Sequence, residues 1–338
     1  MRASIQQGSE PRHARILGIG AYRPRMGVGN EEIAGLIDST DEWIRTRSGI
    51  RSRRWASADE GVLEMAEAAA RQALERSGVP AEQIGCVVLA TISHFRQTPA
   101  AASVLAHRIG AVNAGSFDVS AACAGFCYGL AVAKDFVRGG SASTVLVVGV
   151  ERMTDMIDPR DRGTAFLFAD GAGAAVVGAS AEPGIGPVVW GSDGEQADTI
   201  TQDRSWLEWR DELDKDPDAP FPVLSMKGQA VFRWASVSMG AVARRTLRTS
   251  GLSPEDLDVF IPHQANDRIT DALVRSLRLP DSVVVARDIV EQGNTSAASI
   301  PLAMDSLLDS GRAKSGDLAL LLGFGAGLSF AGQVVTLP

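Results

Sequence analysis

An α/β fold built from two copies of one unit is what this sequence predicts. Three observations carry that expectation. Apolar strand-like runs alternate with stretches of helical periodicity, a glycine closes helix after helix before the next strand, and a segment of the first half recurs in the second. ARILGIGAY (14–22) reads as the first strand, residues 62–77 as a helix, and CVVLATIS (86–93) as the next strand. A helix near 99–109, the strand SFDVS (116–120), a helix near 122–138 and the strand TVLVVGVE (144–151) complete the first copy. The second copy shows its kinship when ALERSGVPAEQIGCVVLA (73–90) is set beside TLRTSGLSPEDLDVFIPH (246–263). Ser77-Gly78 falls on Ser250-Gly251, Glu82 on Glu255 and Ile84 on Leu257, each 173 residues on. Each copy ends a helix at glycine, turns, and enters an apolar strand.

The same offset carries Cys123 onto Ser296, inside GNTSAASIP, another small-residue helix start. Duplicated folds place ligands where their halves meet, so the helix N-termini at Cys123 and Ser296 are expected to face one another. Between the repeats, residues 200–222 (ITQDRSWLEWRDELDKDPDAPFP) are charged and read as an irregular surface loop or lid. No flexible linker separates the halves, which are expected to pack as one unit.

Composition narrows the function classes. The 338 residues are 45% apolar and 22% charged, as in a soluble globular protein. A formal charge of −8 with no basic stripe argues against nucleic acid as a partner. The N-terminus MRASIQQGSEPRHARILG lacks the apolar run of a signal peptide, which suggests a cytoplasmic protein. The apolar run LALLLGFGAGLSFAG is broken by four glycines and reads as buried strands, so no membrane partner is expected. Three cysteines, Cys86, Cys123 and Cys127, do not make a disulfide framework in a reducing compartment.

Cysteine in an apolar run is ordinarily inert packing, and that reading suits Cys86, within a strand, and Cys127, one helical turn deeper than Cys123. Cys123 differs. In DVSAACAGFCYGL it occupies the first turn of a helix, where unpaired N–H groups and the helix dipole favour a thiolate, and Ala122, Ala124 and Gly125 leave room for a substrate. A C-x₃-C metal site would need further ligands, and the four histidines form no spaced cluster, so no metal is expected. PHQAN places His263 at a strand end, and GNTSAAS places Asn294 just before a helix. GFGAGLSF is a glycine-rich turn whose backbone N–H groups could face an oxyanion. Together these residues make a Cys/His/Asn set spread over both repeats.

The segments DVSAACAGF, DRGTAFLFADGAGAAVVG, PHQAN, GNTSAASIP and GFGAG, with GIGAYRP and STDEWIRTRSGIRSRR upstream, resemble the β-ketoacyl-acyl-carrier-protein synthase III family of condensing enzymes, within the thiolase superfamily. The resemblance covers nearly the whole chain. It implies a five-layered αβαβα thiolase fold, with an N-terminal half over residues 1–183 and a C-terminal half over 184–338, and a homodimer. It implies that Cys123 takes an acyl group from acyl-CoA and that His263 and Asn294 bind the malonyl thioester carbonyl of malonyl-acyl-carrier protein. Two donors aimed at an enolate in a dry site suit decarboxylation. An oxyanion hole made of the Cys123 and Ala326 N–H groups follows from the same resemblance, although this chain has Gly-Ala-Gly where family members often have three glycines.

The family clamps adenine between residues matching Trp43 and Arg162, with Arg47, Gly228 and Asn266 as further CoA contacts. Arg233 and Arg268 match its basic docking positions for carrier protein. Thr98, in HFRQTP, matches a position that shapes the acyl pocket from the partner subunit. A residue smaller than phenylalanine there suggests room for branched or longer primers. No resident cofactor is implied, since CoA and phosphopantetheine enter as parts of substrates. Elongating synthases would have histidine where Asn294 stands, and a thiolase would have a second cysteine near the C-terminus. A priming ketosynthase of a polyketide pathway shares every motif. A non-catalytic CoA or carrier-protein binder would not need the Cys/His/Asn set, and a cysteine hydrolase would use the same histidine as a base.

Overall fold

The computed structural model describes residues 13–338. The reading of the N-terminal segment as no signal peptide therefore falls largely on residues 1–12, outside the described residues. The first half contains β1 (His13–Tyr22), β2 (Met26–Gly29), α1 (Asn30–Leu36), α2 (Asp41–Ser48), β3 (Ser52–Trp55), α3 (Val62–Ser77) and β4 (Cys86–Ala90). It continues with α4 (Ala101–Ile109), β5 (Gly115–Val119), α5 (Gly125–Gly139), β6 (Thr144–Arg152) and β7 (Asp170–Ser180). Next come β8 (Val189–Ser192), β9 (Ile200–Gln202), α6 (Trp206–Leu213), β10 (Leu224–Met226), α7 (Gly228–Thr249), β11 (Val259–Pro262) and α8 (Asp267–Leu277). The chain closes with β12 (Val284–Val285), α9 (Ile289–Gln292), α10 (Ser299–Asp309), β13 (Leu318–Gly325) and β14 (Ser329–Thr336).

Two five-stranded sheets run in the orders β1-β7-β6-β4-β5 and β8-β14-β13-β11-β12. Each position in one order is held by the corresponding strand of the other, so the duplication written in the sequence is a duplication of topology. The core between the sheets holds α5 and α10: Phe126, Cys127, Leu130 and Met304 pack with inward residues of both sheets. Helices α3 and α4 cover the outer face of the first sheet, and α7 and α8 that of the second. These are the five layers of a thiolase-like fold. The central strands carry long apolar runs, as sheets covered on both faces require, and β6 is broken only near its ends, by Thr144, Glu151 and Arg152.

Gly78 and Gly251 end α3 and α7 with φ of +67° and +72°, the left-handed conformation that the repeated Ser-Gly foretold. Two expectations need correction. The offset of 173 holds as far as β4 and β11, then slips by one. The short helical turn Ala122–Ala124 before α5 matches Ser296–Ala298 before α10, so Ser296 is the twin of Ala122, and Cys123 that of Ala297. The two residues share an unusual backbone, with φ of +43° at Ala122 and +48° at Ser296. Secondly, residues 200–222 are not irregular, because they hold β9 and α6. Ser205 accepts the Glu208 N–H at 3.2 Å while the Glu208 carboxylate accepts the Ser205 N–H at 2.7 Å, a capping box whose signature S-x-x-E is present in SWLE. Phe95, Trp206, Trp209 and Phe221 stack edge-on around it and hold the segment against the body.

Candidate active site

The nucleophile candidate is delivered by a tight turn. After β5 the chain passes through Ala122, left-handed, into Cys123 and then α5. Glycine is needed where α5 begins, because a Cβ on Gly125 would stand 2.8 Å from the Ala90 Cβ. Cys123 is partly exposed, whereas Cys86 and Cys127 are buried. Cys127 lies inside the core between the sheets, its Sγ against the backbone of Gly323. The end of β13 crosses directly over Cys123. A Cβ on Gly325 would meet the Cys123 Cβ at 2.7 Å and Sγ at 2.9 Å, so only glycine lets this strand bring Ala326 to the thiol. Ala326 has no positive φ, and alanine stands there without backbone strain, while Gly327 at φ +130° takes the conformation that needs glycine.

His263 follows β11 and is buried. Its Nδ1 is 2.7 Å from the Ser299 hydroxyl at the start of α10. Ser299 Oγ already accepts the Gln264 N–H, so its proton is directed at Nδ1, which leaves Nε2–H as a donor. Asn294 is fixed in the same manner. Its backbone forms a bridge with Phe168, and its Oδ1 accepts the Ser296 N–H at 2.9 Å, which frees Nδ2 to donate. Two neutral donors, each oriented by α10 or the turn before it, are therefore presented together.

Electrostatics follow burial. Removal from water lowers the His263 pKa to about 3, so the ring is neutral at any working pH. The same desolvation pushes the Cys123 thiol up to about 12, with the Glu151 carboxylate adding to the rise and the Ser296 hydroxyl opposing it. This desolvation opposes the thiolate expected from the helix dipole, and Cys123 sits in a short turn ahead of α5 rather than in its first turn. Glu151, which is fully buried, is raised to about 7 by desolvation against several hydrogen bonds.

Cys123, His263, Asn294 and Ala326 line one cavity of about 730 Å³. Trp43, Arg47, Arg162, Gly228, Asn266, Arg233 and Arg268 line it too. The Arg162 guanidinium carbon lies 4.7 Å from the Trp43 ring centroid and that of Arg47 5.3 Å. The pair expected to clamp adenine thus touch each other, and an adenine between them requires Arg162 to swing off the ring. Asn266 caps α8 by accepting the Arg268 N–H at 3.0 Å, and its Nδ2 donates to the Arg47 carbonyl at 3.0 Å. It therefore holds α2 and α8 together at the cavity mouth. Arg233 and Arg268 are exposed there, Arg268 stacked on Phe232.

A second cavity of about 980 Å³ shares Ile92, Ala122, Ile200, Leu224 and Ala326 with the first and extends to Met156, Phe95 and Trp206. Thr98 is exposed and lines neither cavity of its own chain. Among the described residues no group of three or more His, Cys, Asp or Glu is placed to hold a metal ion, and no helix is long and apolar enough to cross a membrane.

Three contributors were not singled out from sequence: Ser299, Gln264 and Glu151. Gln264 is buried, accepts the Ile289 N–H and donates to the Pro262 carbonyl, which fixes the loop after β11. A charge ending the apolar run TVLVVGVE was the available signal for Glu151. The serine and glutamine gave none, since their partners are brought to them only by the fold.

Residues 117–194 match the family model of 3-oxoacyl-[acyl-carrier-protein] synthase III, and residues 247–337 match that of its C-terminal part. The chain is 57% identical over 332 residues to β-ketoacyl-[acyl-carrier-protein] synthase III 1 of Streptomyces coelicolor, covering 96% of this chain and 97% of that one. It is 51% identical to the mycobacterial β-ketoacyl-[acyl-carrier-protein] synthase III of Mycobacterium avium, covering 99% and 98%. The crystal structure of the priming β-ketosynthase from the R1128 polyketide biosynthetic pathway superposes with a TM-score of 0.95 at 51% identity, over 98% of both chains. That of 3-oxoacyl-(acyl carrier protein) synthase III from Pseudomonas aeruginosa superposes at 0.88 and 38%, over 97% and 99%.

Proposed function

The chain belongs to the 3-oxoacyl-[acyl-carrier-protein] synthase III family of condensing acyltransferases, and from that premise we propose that it joins an acyl-CoA primer to malonyl-acyl-carrier protein through an acyl-Cys123 intermediate. The observation that carries this reading is the convergence of Cys123, His263, Asn294 and the Ala326 backbone on one cavity. In the first half-reaction Cys123 Sγ attacks the thioester carbonyl of acyl-CoA. The Cys123 and Ala326 N–H groups stabilise the oxyanion, and CoA leaves as the thiol. Malonyl-acyl-carrier protein then occupies the CoA site. His263 Nε2–H and Asn294 Nδ2–H donate to its thioester carbonyl, CO₂ departs, and the enolate carbon attacks the acyl-Cys123 carbonyl; the C–Sγ bond then breaks, releasing the β-ketoacyl product and a Cys123 thiolate that takes a proton from solvent. Neutrality of His263 suits this role, because the ring stays a hydrogen-bond donor across working pH without carrying a charge in an apolar site.

Trp43, Arg162 and Arg47 bind the adenine end of CoA in this scheme, with Gly228 and Asn266 beside the pantetheine arm. Arg233 and Arg268 receive the acidic carrier protein. The halves divide at residues 183 and 184, between β7 and β8, and the first supplies the nucleophile while the second supplies the two donors. The enzyme acts as a cytoplasmic homodimer without a resident cofactor, and Thr98 of one subunit shapes the acyl pocket of the other. Initiation of fatty-acid synthesis is the main reading. Priming of a polyketide pathway is favoured by one observation, the second cavity that adjoins the first at Ile92, Ala122 and Ala326 and offers room for an unusual starter.

Intact-protein mass spectrometry with acyl-CoAs from acetyl to dodecanoyl, isobutyryl and isovaleryl included, tests the scheme. One acyl adduct mapping to Cys123 is expected, absent from Cys123→Ala and retained in Cys127→Ala. His263→Ala and Asn294→Ala are expected to form acyl-enzyme yet lose condensation by about 10²–10³-fold each, the usual cost of an oxyanion donor. Absence of any adduct on folded protein would refute acyl-CoA condensation.

A further inference from the structure

One charged group beneath the nucleophile has no part in that scheme. Glu151, near the end of β6, is fully buried, and all its hydrogen-bond partners are donors. Thr91 Oγ1 accepts the Ser93 N–H at 3.2 Å, and Ser93 Oγ accepts the Arg152 N–H at 2.8 Å. Their hydroxyl protons are thereby left for Glu151 Oε2, at 3.1 and 2.6 Å. The Ile92 N–H adds a bond of 3.1 Å, and the Ser296 hydroxyl donates to Oε1 at 3.2 Å. Among the described residues no ion pair involves Glu151. A carboxylate buried without a cation costs stability, and an apolar residue would fill the same strand at no such cost.

Ser296 is what connects this group to the chemistry. It is the twin of Ala122, held at φ +48°, so its side chain is aimed by a constrained backbone, and it lines the cavity together with Cys123. Its hydroxyl donates to Glu151, lines the same cavity as the Cys123 thiol, and opposes the rise in that thiol's pKa. We infer that Ser296 and Glu151 form a proton relay that receives the Cys123 thiol proton during acyl transfer. As Sγ attacks the thioester carbon, the Sγ–H bond breaks, Ser296 Oγ takes that proton and gives its own to Glu151 Oε1. When the C–S bond to CoA breaks, the relay returns a proton to the departing sulfur. Cys–SH and acyl-S-CoA become acyl-S-Cys and CoA–SH with no net charge left behind.

Glu151 acts through Ser296 and is in that sense a positioning residue, while Ser296 shares the cavity with the reacting sulfur. The alternative acceptor, His263, is ill suited, since its Nδ1 is occupied by Ser299 and burial lowers its pKa to about 3. Glu151 at about 7 is matched to operating pH. The other titratable groups nearby are engaged elsewhere: Asp170 on β7 accepts from Thr154 and the Ala56 N–H, and Arg152 pairs with Asp155.

The relay rests on the proposed acyl transfer, but one readout needs no acyl-CoA. The rate of Cys123 alkylation by iodoacetamide against pH, read alongside the single-turnover acylation rate, separates the two ideas. A Glu151 that acts only as a neighbouring negative charge holds the thiol protonated, so Glu151→Gln would speed alkylation. A relay gives the opposite sign. Glu151→Gln and Ser296→Ala are each expected to slow alkylation at pH 7–8 and acyl-enzyme formation by about 100-fold, with Glu151→Asp recovering part of both. Faster or unchanged rates in folded Glu151→Gln overturn the relay. Should that variant not fold, Ser296→Ala decides, because its twin Ala122 shows that alanine is tolerated in this backbone conformation, and wild-type rates there overturn it equally. Slow alkylation in both variants beside a wild-type enzyme that never acylates would sustain the relay and sink the acyl-CoA reading instead.

Discussion

At the scale of single residues, burial sets the chemistry of this site more than charge pairing does. The folded His263 binds its proton only near pH 3, whereas an unfolded imidazole binds one near 6.5. Between those values the unfolded state holds the extra proton, so stability is complete above pH 6.5 and falls as pH drops through the window, by up to about 1.4 kcal/mol per unit. Glu151 opposes this trend, since its folded pKa of about 7 lies above the ordinary glutamate value of 4.5, and its contribution is present at low pH and lost as pH rises from 4.5 to 7. His263→Ala removes the first effect alone. Urea midpoints from pH 7 to pH 4 are expected to fall less steeply in that variant than in wild type, and parallel curves would contradict the buried neutral imidazole.

Among the elements, the two short turns before α5 and α10 are where the fold is spent on function. Each carries a left-handed non-glycine residue, and each opens a central helix packed between the sheets. The segment 200–213 is different: it lies over the second cavity, anchored by aromatic edges and the Ser205–Glu208 capping box. Ser205→Ala is expected to cost α6 about 1 kcal/mol. Hydrogen exchange of residues 206–213 should then accelerate roughly fivefold while exchange in β4 and β13 stays unchanged. Acceleration spread evenly over the chain would mean that α6 is no separate unit of opening.

For the whole molecule, the formal charge of −8 must be reconciled with an acidic carrier protein as the proposed partner. Arg233 and Arg268 at the cavity mouth, one on α7 and one on α8, provide a local positive field inside a negative whole. Replacing both by glutamate is expected to raise KM for malonyl-acyl-carrier protein about tenfold or more, with a smaller change in KM for acyl-CoA. Added salt should weaken carrier-protein use by wild type more than by the variant. Equal changes for both substrates would place the docking surface elsewhere.

Much of this was legible in the sequence, because it depends on patterns that local chemistry imposes. Alternating apolar runs and the Ser-Gly repeat at 77–78 and 250–251 showed the duplicated α/β fold, and the small residues around Cys123 set it apart from Cys86 and Cys127 as the candidate nucleophile. His263 and Asn294 stood out for their turn positions, and the family resemblance assigned them a role. Tertiary structure decided the rest, since pKa, tautomer and reach depend on groups distant in the chain. Ser299 orients His263 from 36 residues away, and Glu151 meets Ser296 across 145. Whether Cys123 is a thiolate is set by how much water the packed halves exclude, which no spacing records. The one-residue slip that pairs Ser296 with Ala122 likewise appears only in backbone angles, because a duplicated sequence drifts while the turn it must build keeps its shape.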